Sequence, residues 1–167
     1  DQKQAEMTDS EMRQVYGDYT RDITTPYKGT AADLNKYLEG KGVLSGQGQA
    51  FIDAQNKYGI SAAVLAGIAI SESGGTSSLA RKRFNVTSIS SSRGWRRFNN
   101  VSECIDYTAS MLANRYVKNS GLSGVSLKTL YQINAKYCPV SDTRNNSSNN
   151  RFWAQNVENK VREIEKA

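Results

Sequence analysis

The stretch Ser61-Ala62-Ala63-Val64-Leu65-Ala66-Gly67-Ile68-Ala69-Ile70-Ser71-Glu72-Ser73-Gly74-Gly75 decides how this chain folds. Its apolar residues cover nearly every face of a helix over 62–72. That spacing predicts a central buried helix rather than an amphipathic surface one. Ser61 is placed to cap its start. The helix runs straight into a carboxylate and then into two glycines. Apolar surroundings penalise the charged form of Glu72. The partial negative charge of a helix C-terminus penalises it too. Both raise its pKa, so the acid can stay protonated near neutral pH. A protonated carboxylic acid in a cleft is what cleavage of a glycosidic bond needs as general acid. A surface Glu near a helix end is the competing reading of the local pattern.

Outward from that helix, a short helix is expected over 31–39, capped by Thr30, with Leu34, Tyr37 and Leu38 inward. Glycines at 40, 42, 46 and 48 mark a turn. A helix over about 48–58 buries Phe51, Ile52 and Ala54 and ends at Gly59. Downstream, Ser102 is placed to cap a long helix reaching about 117, and Ser126 one over 127–136. A last helix over 151–165 carries Trp153, Val157, Val161 and Ile164 at three- and four-residue spacing. Residues 73–100 lack helical period, and 84–89 alternate weakly, which suggests a small hairpin or irregular lobe. The fold class expected is mainly α, with about six helices around one buried helix. Residues 1–29 read as an N-terminal arm or linker, with one weak helix over 7–17, and 30–167 as the domain proper.

The 167 residues suffice for one compact domain. No apolar run reaches the roughly 20 residues of a membrane span. The chain contains no histidine, which removes Ser-His and Cys-His chemistry and most zinc sites. Two cysteines, Cys104 and Cys138, are too few for a disulfide framework or an all-cysteine metal site, and either one bridge or two thiols fits them. No metal and no cofactor is expected. The net charge of +6 is concentrated: Arg81, Lys82, Arg83, Arg93, Arg96 and Arg97 lie in 73–102, which has no acid. Such a surface attracts a polyanion, either nucleic acid or an anionic polymer of a bacterial wall. Charge balance elsewhere argues against nucleic acid.

Most glycosidases pair two carboxylates. The next acid after Glu72 is Glu103, whose place in a helix first turn is explained by the helix dipole. Asp142 stands in a loop and can line a cleft. Trp95, Phe98 and Phe84 lie among the arginines, and aromatic faces of this kind suit sugar rings or bases. Tyr137 sits at a helix end beside Pro139, where a core tyrosine is the default.

The segments Leu34–Leu38, Gly40–Ile52, Tyr58-Gly59-Ile60 and Ser71-Glu72-Ser73-Gly74-Gly75-Thr76-Ser77-Ser78-Leu79-Ala80 together resemble the endo-β-N-acetylglucosaminidase domain of bacteria and phages. Trp95-Arg96-Arg97-Phe98 with Ser102–Tyr107, and Tyr137-Cys138-Pro139-Val140-Ser141-Asp142 with Asn145, Asn146 and Trp153, resemble its later motifs. The likeness covers roughly 33–165. It implies a lysozyme-like α+β fold and a monomer, or a module of a larger protein. It implies cleavage of peptidoglycan glycan strands, at the cell wall or from a phage virion. It also implies Glu72 as general acid, Tyr137 as active-site tyrosine, and Trp95, Phe98, Phe84 and Asp142 as substrate contacts. A lytic transglycosylase or N-acetylmuramidase, and an inactive wall-binding module, are the alternatives. Two departures stand out: the small lobe lacks the second carboxylate common in the family, and Arg83-Phe84-Asn85-Val86-Thr87-Ser88 replaces an Asn-Leu-Phe-Gly-type segment.

Overall fold

The computed structural model describes residues 7–121, 125–140 and 147–167. At its centre is α4, Ala62–Ser73, following α1 (Asp9–Tyr16), α2 (Ala31–Leu38) and α3 (Gly48–Tyr58). Residues Ala62 to Ala69 are all buried, as an all-round apolar helix requires. Ser61 caps α4 by accepting the Val64 N–H at 3.2 Å. Gly74 ends it at φ +62, the left-handed turn that glycine makes without a Cβ clash. Thr30 starts α2 with a reciprocal capping box to Asp33, and Gly59 ends α3 in the left-handed region.

After α4 come α5 (Ser78–Arg83), a hairpin of β1 (Ser90–Ser91) and β2 (Gly94–Trp95), α6 (Val101–Leu112), α7 (Leu130–Tyr137), α8 (Ser147–Asn150) and α9 (Trp153–Lys166). The expected fold class holds. Several boundaries move, each for a local reason. Asn100 rather than Ser102 caps α6, because its carboxamide accepts the Glu103 N–H at 2.8 Å. The helix turns into a π-helical segment over Ala113–Val117 instead of continuing as α. Thr129 rather than Ser126 caps α7, in a capping box with Gln132. The hairpin lies at 90–95, not 84–89, and α5 is a helix that the sequence pattern does not announce.

The central packing is α9 along α4. A Cβ on Gly67 would stand 3.1 Å from Val161 Cγ2 and 3.3 Å from the Val157 carbonyl. Glycine therefore lets these two helices approach closely. Burying each large aliphatic side chain here contributes about 1.5–3 kcal/mol. Residues 7–29 lie against this body. Ile23 is fully buried; its N–H donates to the Lys128 carbonyl at 2.8 Å, and its carbonyl accepts the Ser61 N–H at 2.7 Å. Arg21 grips Glu158 of α9 with two bonds of 2.7 and 2.9 Å and also reaches Glu165. Among the described residues no helix is long and apolar enough to cross a membrane.

Candidate active site

The C-terminal end of α4 opens into a cleft of about 680 Å³, with Glu72 in its lining. One wall is the small lobe, through Ser88 to Ser91, Gly94 and Trp95. A second is α6 and its π-helical extension, through Tyr107, Met111, Arg115 and Tyr116. Tyr137, Cys138 and Asn150 close the third side. Glu72 is the one carboxylate among the described residues of this lining.

Glu72 is partly exposed to the cleft, yet the protein closes round its carboxyl. Burial pushes its pKa from 4.5 up to about 7; the Ser88 hydroxyl and the Trp153 indole partly offset that by favouring the anion. Trp153 Nε1 nevertheless has no partner at hydrogen-bonding geometry, so its pull is that of a nearby dipole rather than a formed bond. Near pH 7 the group is poised between acid and anion, the state that a general acid needs.

The small lobe is built on Asn85, which is fully buried. Its carboxamide donates to the carbonyls of Ile89 (2.7 Å) and Arg96 (2.9 Å) and accepts the Ile89 N–H (2.9 Å). That bonding curls 85–89 into a loop and ties it to the residue that follows β2. Ser88 inside the loop has φ +58, a left-handed conformation strained for any residue but glycine. Serine thus stands at a position where glycine would be unstrained. The exchange sets a hydroxyl at Glu72.

Tyr137 enters from the end of α7. Its hydroxyl donates to the Thr87 carbonyl at 2.9 Å. Its ring lies 5.2 Å from Trp153 and 6.3 Å from Tyr116. Burial, then the nearby Glu72, raises its pKa well above the usual value, so it remains a neutral phenol. Thr87 is itself held from behind. The Thr108 hydroxyl donates to the Cys104 carbonyl at 2.8 Å, so the 2.8 Å contact between Thr87 and Thr108 is donated by Thr87. With its one proton committed to Thr87, the Tyr137 oxygen can only accept from a further group.

Trp95 lines the cleft on β2 with 45% of its surface exposed, as a sugar platform requires. Phe98 does not reach the cleft. It is buried beneath Tyr107, with ring centroids 5.7 Å apart, and Tyr107 lines the cleft in its place. Phe84 is also outside the lining; it sits half-buried at φ +53 as the C-cap of α5. Asp142, Asn145 and Asn146 fall outside the described residues. Glu103 stays at the start of α6, bound to the Asn99 carboxamide at 3.0 Å, and Asp106 accepts from Tyr58 at 2.9 Å. Neither faces the cleft. The sequence reading missed Ser88, Arg115 and Tyr116. Arg115 follows Tyr107 and Met111 at four-residue intervals, a spacing that marks one helix face. Cys104 and Cys138 are not bridged to each other, and among the described residues no cluster of acids and cysteines could hold a metal.

Residues 48–166 match the family described as mannosyl-glycoprotein endo-beta-N-acetylglucosaminidase. The bifunctional autolysin of Staphylococcus epidermidis is 37% identical over 100 residues, 58% of this chain and 8% of that protein. The Staphylococcus aureus bifunctional autolysin is 35% identical over 96 residues, 56% of this chain and 8% of that protein. The chain thus spans about 8% of the length of these curated relatives. A catalytic mutant of S. aureus Autolysin E in complex with the disaccharide NAG-NAM aligns over 96% of this chain and 79% of its own, with TM-score 0.71 and 20% identity. The same protein with the muropeptide NAM-L-ALA-D-iGLU aligns over 96% and 78%, with TM-score 0.69 and 21% identity. At such identities these structures establish the shared fold. By its family match over 48–166, the chain belongs to the endo-beta-N-acetylglucosaminidase family of glycosidases.

Proposed function

We propose that this chain cleaves β-1,4 bonds of peptidoglycan glycan strands as an endo-β-N-acetylglucosaminidase, with Glu72 as general acid. The observation that carries this reading is Glu72, the one acid among the described cleft residues, held near pKa 7 by burial. Protonated Glu72 gives its proton to the glycosidic oxygen as the bond to the anomeric carbon breaks. No second carboxylate among the described lining residues is available as nucleophile. The substrate's own acetamido oxygen supplies that electron pair and closes a ring on the anomeric carbon. The Tyr137 oxygen, its proton engaged by Thr87, accepts from the acetamido N–H and holds that group for attack. The Glu72 carboxylate then takes a proton from water as water opens the ring, and the acid is restored.

Trp95 offers its exposed face to a sugar ring. The arginines of α5 and the hairpin region stand outside the described cleft lining, on the lobe that carries Trp95. Arg83 is fixed by the Trp95 carbonyl at 3.3 Å and Arg97 by the Lys82 carbonyl at 3.0 Å, so their charges stay free for an anionic wall polymer. We place 30–167 as the catalytic unit, with 1–29 as an N-terminal arm whose described part, 7–29, packs against it. It acts at the cell wall as a module of a larger protein, in keeping with autolysin relatives that are many times its length.

The test is digestion of purified cell walls by wild-type and Glu72→Gln protein, with mass spectrometry of the products. The expected results are N-acetylglucosamine at the new reducing ends and a loss of about 10²–10⁴-fold in rate for Glu72→Gln. Clearance by Glu72→Gln at the wild-type rate refutes the assignment. 1,6-Anhydromuramyl ends would instead show the lytic transglycosylase reaction on the same acid.

A further inference from the structure

Trp153 is 4% exposed, and its indole Nε1–H has no hydrogen-bond partner. A buried donor left unpaired is costly, and such groups are rare in folded proteins. The packing of α9 on α4 shows where this residue lies. Gly67 fixes the register by admitting Val157 and Val161. Toward the C-terminus of α4 and the N-terminus of α9, the same pair of helices brings Trp153 to the level of Glu72. Its ring centroid lies 5.2 Å from that of Tyr137, with the planes tilted by 33°. The indole thus packs on the tyrosine and is near enough to the acid to favour its anion.

We propose that the Trp153 indole N–H is a positioning donor reserved for the ionised state of Glu72. It is unpaired while Glu72 carries its proton, and it closes a hydrogen bond to the carboxylate once that proton has passed to the leaving sugar oxygen. The inference rests on Glu72 being the general acid. The step balances without a co-reactant. The Glu72 O–H bond breaks, its electron pair stays on the carboxylate, the leaving oxygen gains the proton, and the indole keeps its own. The advantage is differential. A donor satisfied from the start would stabilise both states, whereas one satisfied only as charge develops lowers the barrier. The influence of Trp153 on Glu72, which favours the anion, has the required sign, and so does that of Ser88. The other titratable or charged groups of the cleft are Tyr137, Tyr116, Tyr107, Cys138 and Arg115.

Trp153→Phe keeps a ring against Tyr137 and removes the N–H. In kcat/KM the alkaline limb, set by Glu72 at about 7, moves up by about one pH unit, and kcat falls about tenfold while KM holds. A folded Trp153→Phe protein whose alkaline limb stays in place overturns the proposal. Loss of packing alone would lower Tm without moving the limb. A second measurement uses the wild-type protein, in case the variant fails to fold. The Trp153 indole proton, followed by ¹⁵N–¹H NMR between about pH 5 and 9, shifts downfield with the midpoint of Glu72 and stays still in Glu72→Gln. A resonance that does not move with that midpoint refutes the inference. With Glu72→Gln inactive, that result leaves the reading of Glu72 intact; an active Glu72→Gln removes both.

Discussion

Replacing Glu72 by Gln is expected to stabilise the fold, and the gain depends on pH with a definite sign. In the native protein burial lifts the carboxyl pKa from 4.5 to about 7. Below about pH 4.5 the group is protonated whether the chain is folded or not, so the wild-type and Glu72→Gln proteins are equally stable. Between about 4.5 and 7 the native state keeps a proton that the unfolded chain has lost. Wild-type stability then falls with rising pH, by up to about 1.4 kcal/mol per pH unit. Above about 7 both states are ionised and the deficit levels off at about 3 kcal/mol. Glutamine keeps the size of the side chain and cannot ionise, so the variant escapes that loss. Urea unfolding of both proteins at about pH 4, 6 and 8.5 measures the difference. With a slope of about 2 kcal/mol per molar, the midpoints coincide at the lowest pH and separate by about 1.5 M at the highest. A gap that does not change with pH, or a Glu72→Gln protein that is the less stable at pH 8.5, refutes the claim that a buried acid is strained at this site.

Tyr137→Phe removes the donor to Thr87 and the acceptor offered to substrate; kcat on purified walls should fall about 10²-fold with KM near wild type. Asn85→Ala leaves three main-chain groups of the small lobe without their partner. Thermal unfolding should drop by about 6–12 °C, corresponding to about 3 kcal/mol, with activity lost in step. Trp95→Ala removes an exposed ring; KM should rise about fivefold, about 1 kcal/mol of contact, while Tm stays within about 1 °C.

The residues that decide the fold are readable because their constraints are local. An all-round apolar run from Ala62 to Ile70 has to be central, and Ser61, Thr30 and Gly59 cap helices through bonds within four residues. The two glycine segments of the sequence turn out to be one feature. The Val43 N–H donates to the Gly75 carbonyl at 2.9 Å, and a Cβ on Gly42 or Gly75 would strike the facing backbone. What escaped the sequence reading depends on distant partners. Asn85 looks like a loop asparagine until Ile89 and Arg96 close round it. Phe98 and Trp95 are three residues apart in one basic segment, yet Tyr107 covers the first while the second stands exposed. The polar segment 7–29 gives no periodic signal for its docking, which rests on Ile23 in the core and on Arg21 gripping Glu158. Tyr116 reaches the cleft from a π-helical turn, a local widening with no sequence signature.

The chemistry of a cleft with one described carboxylate follows from how that carboxylate is balanced. A single group must release a proton in the first half of the reaction and recover one in the second. Burial alone would favour the neutral acid and make the proton hard to release. Strong hydrogen bonds to the carboxylate would do the reverse and leave an anion with nothing to donate. Glu72 has both influences, with burial the larger, and Ser88 and Trp153 set against it. Each donor carries a structural cost of its own: Ser88 holds a left-handed backbone at φ +58, and Trp153 holds an unpaired buried N–H. Strain and orphaned donors of this kind persist where the surrounding structure over-determines them. Here the Asn85 loop and the α4–α9 pair impose them, and both converge on the same carboxyl.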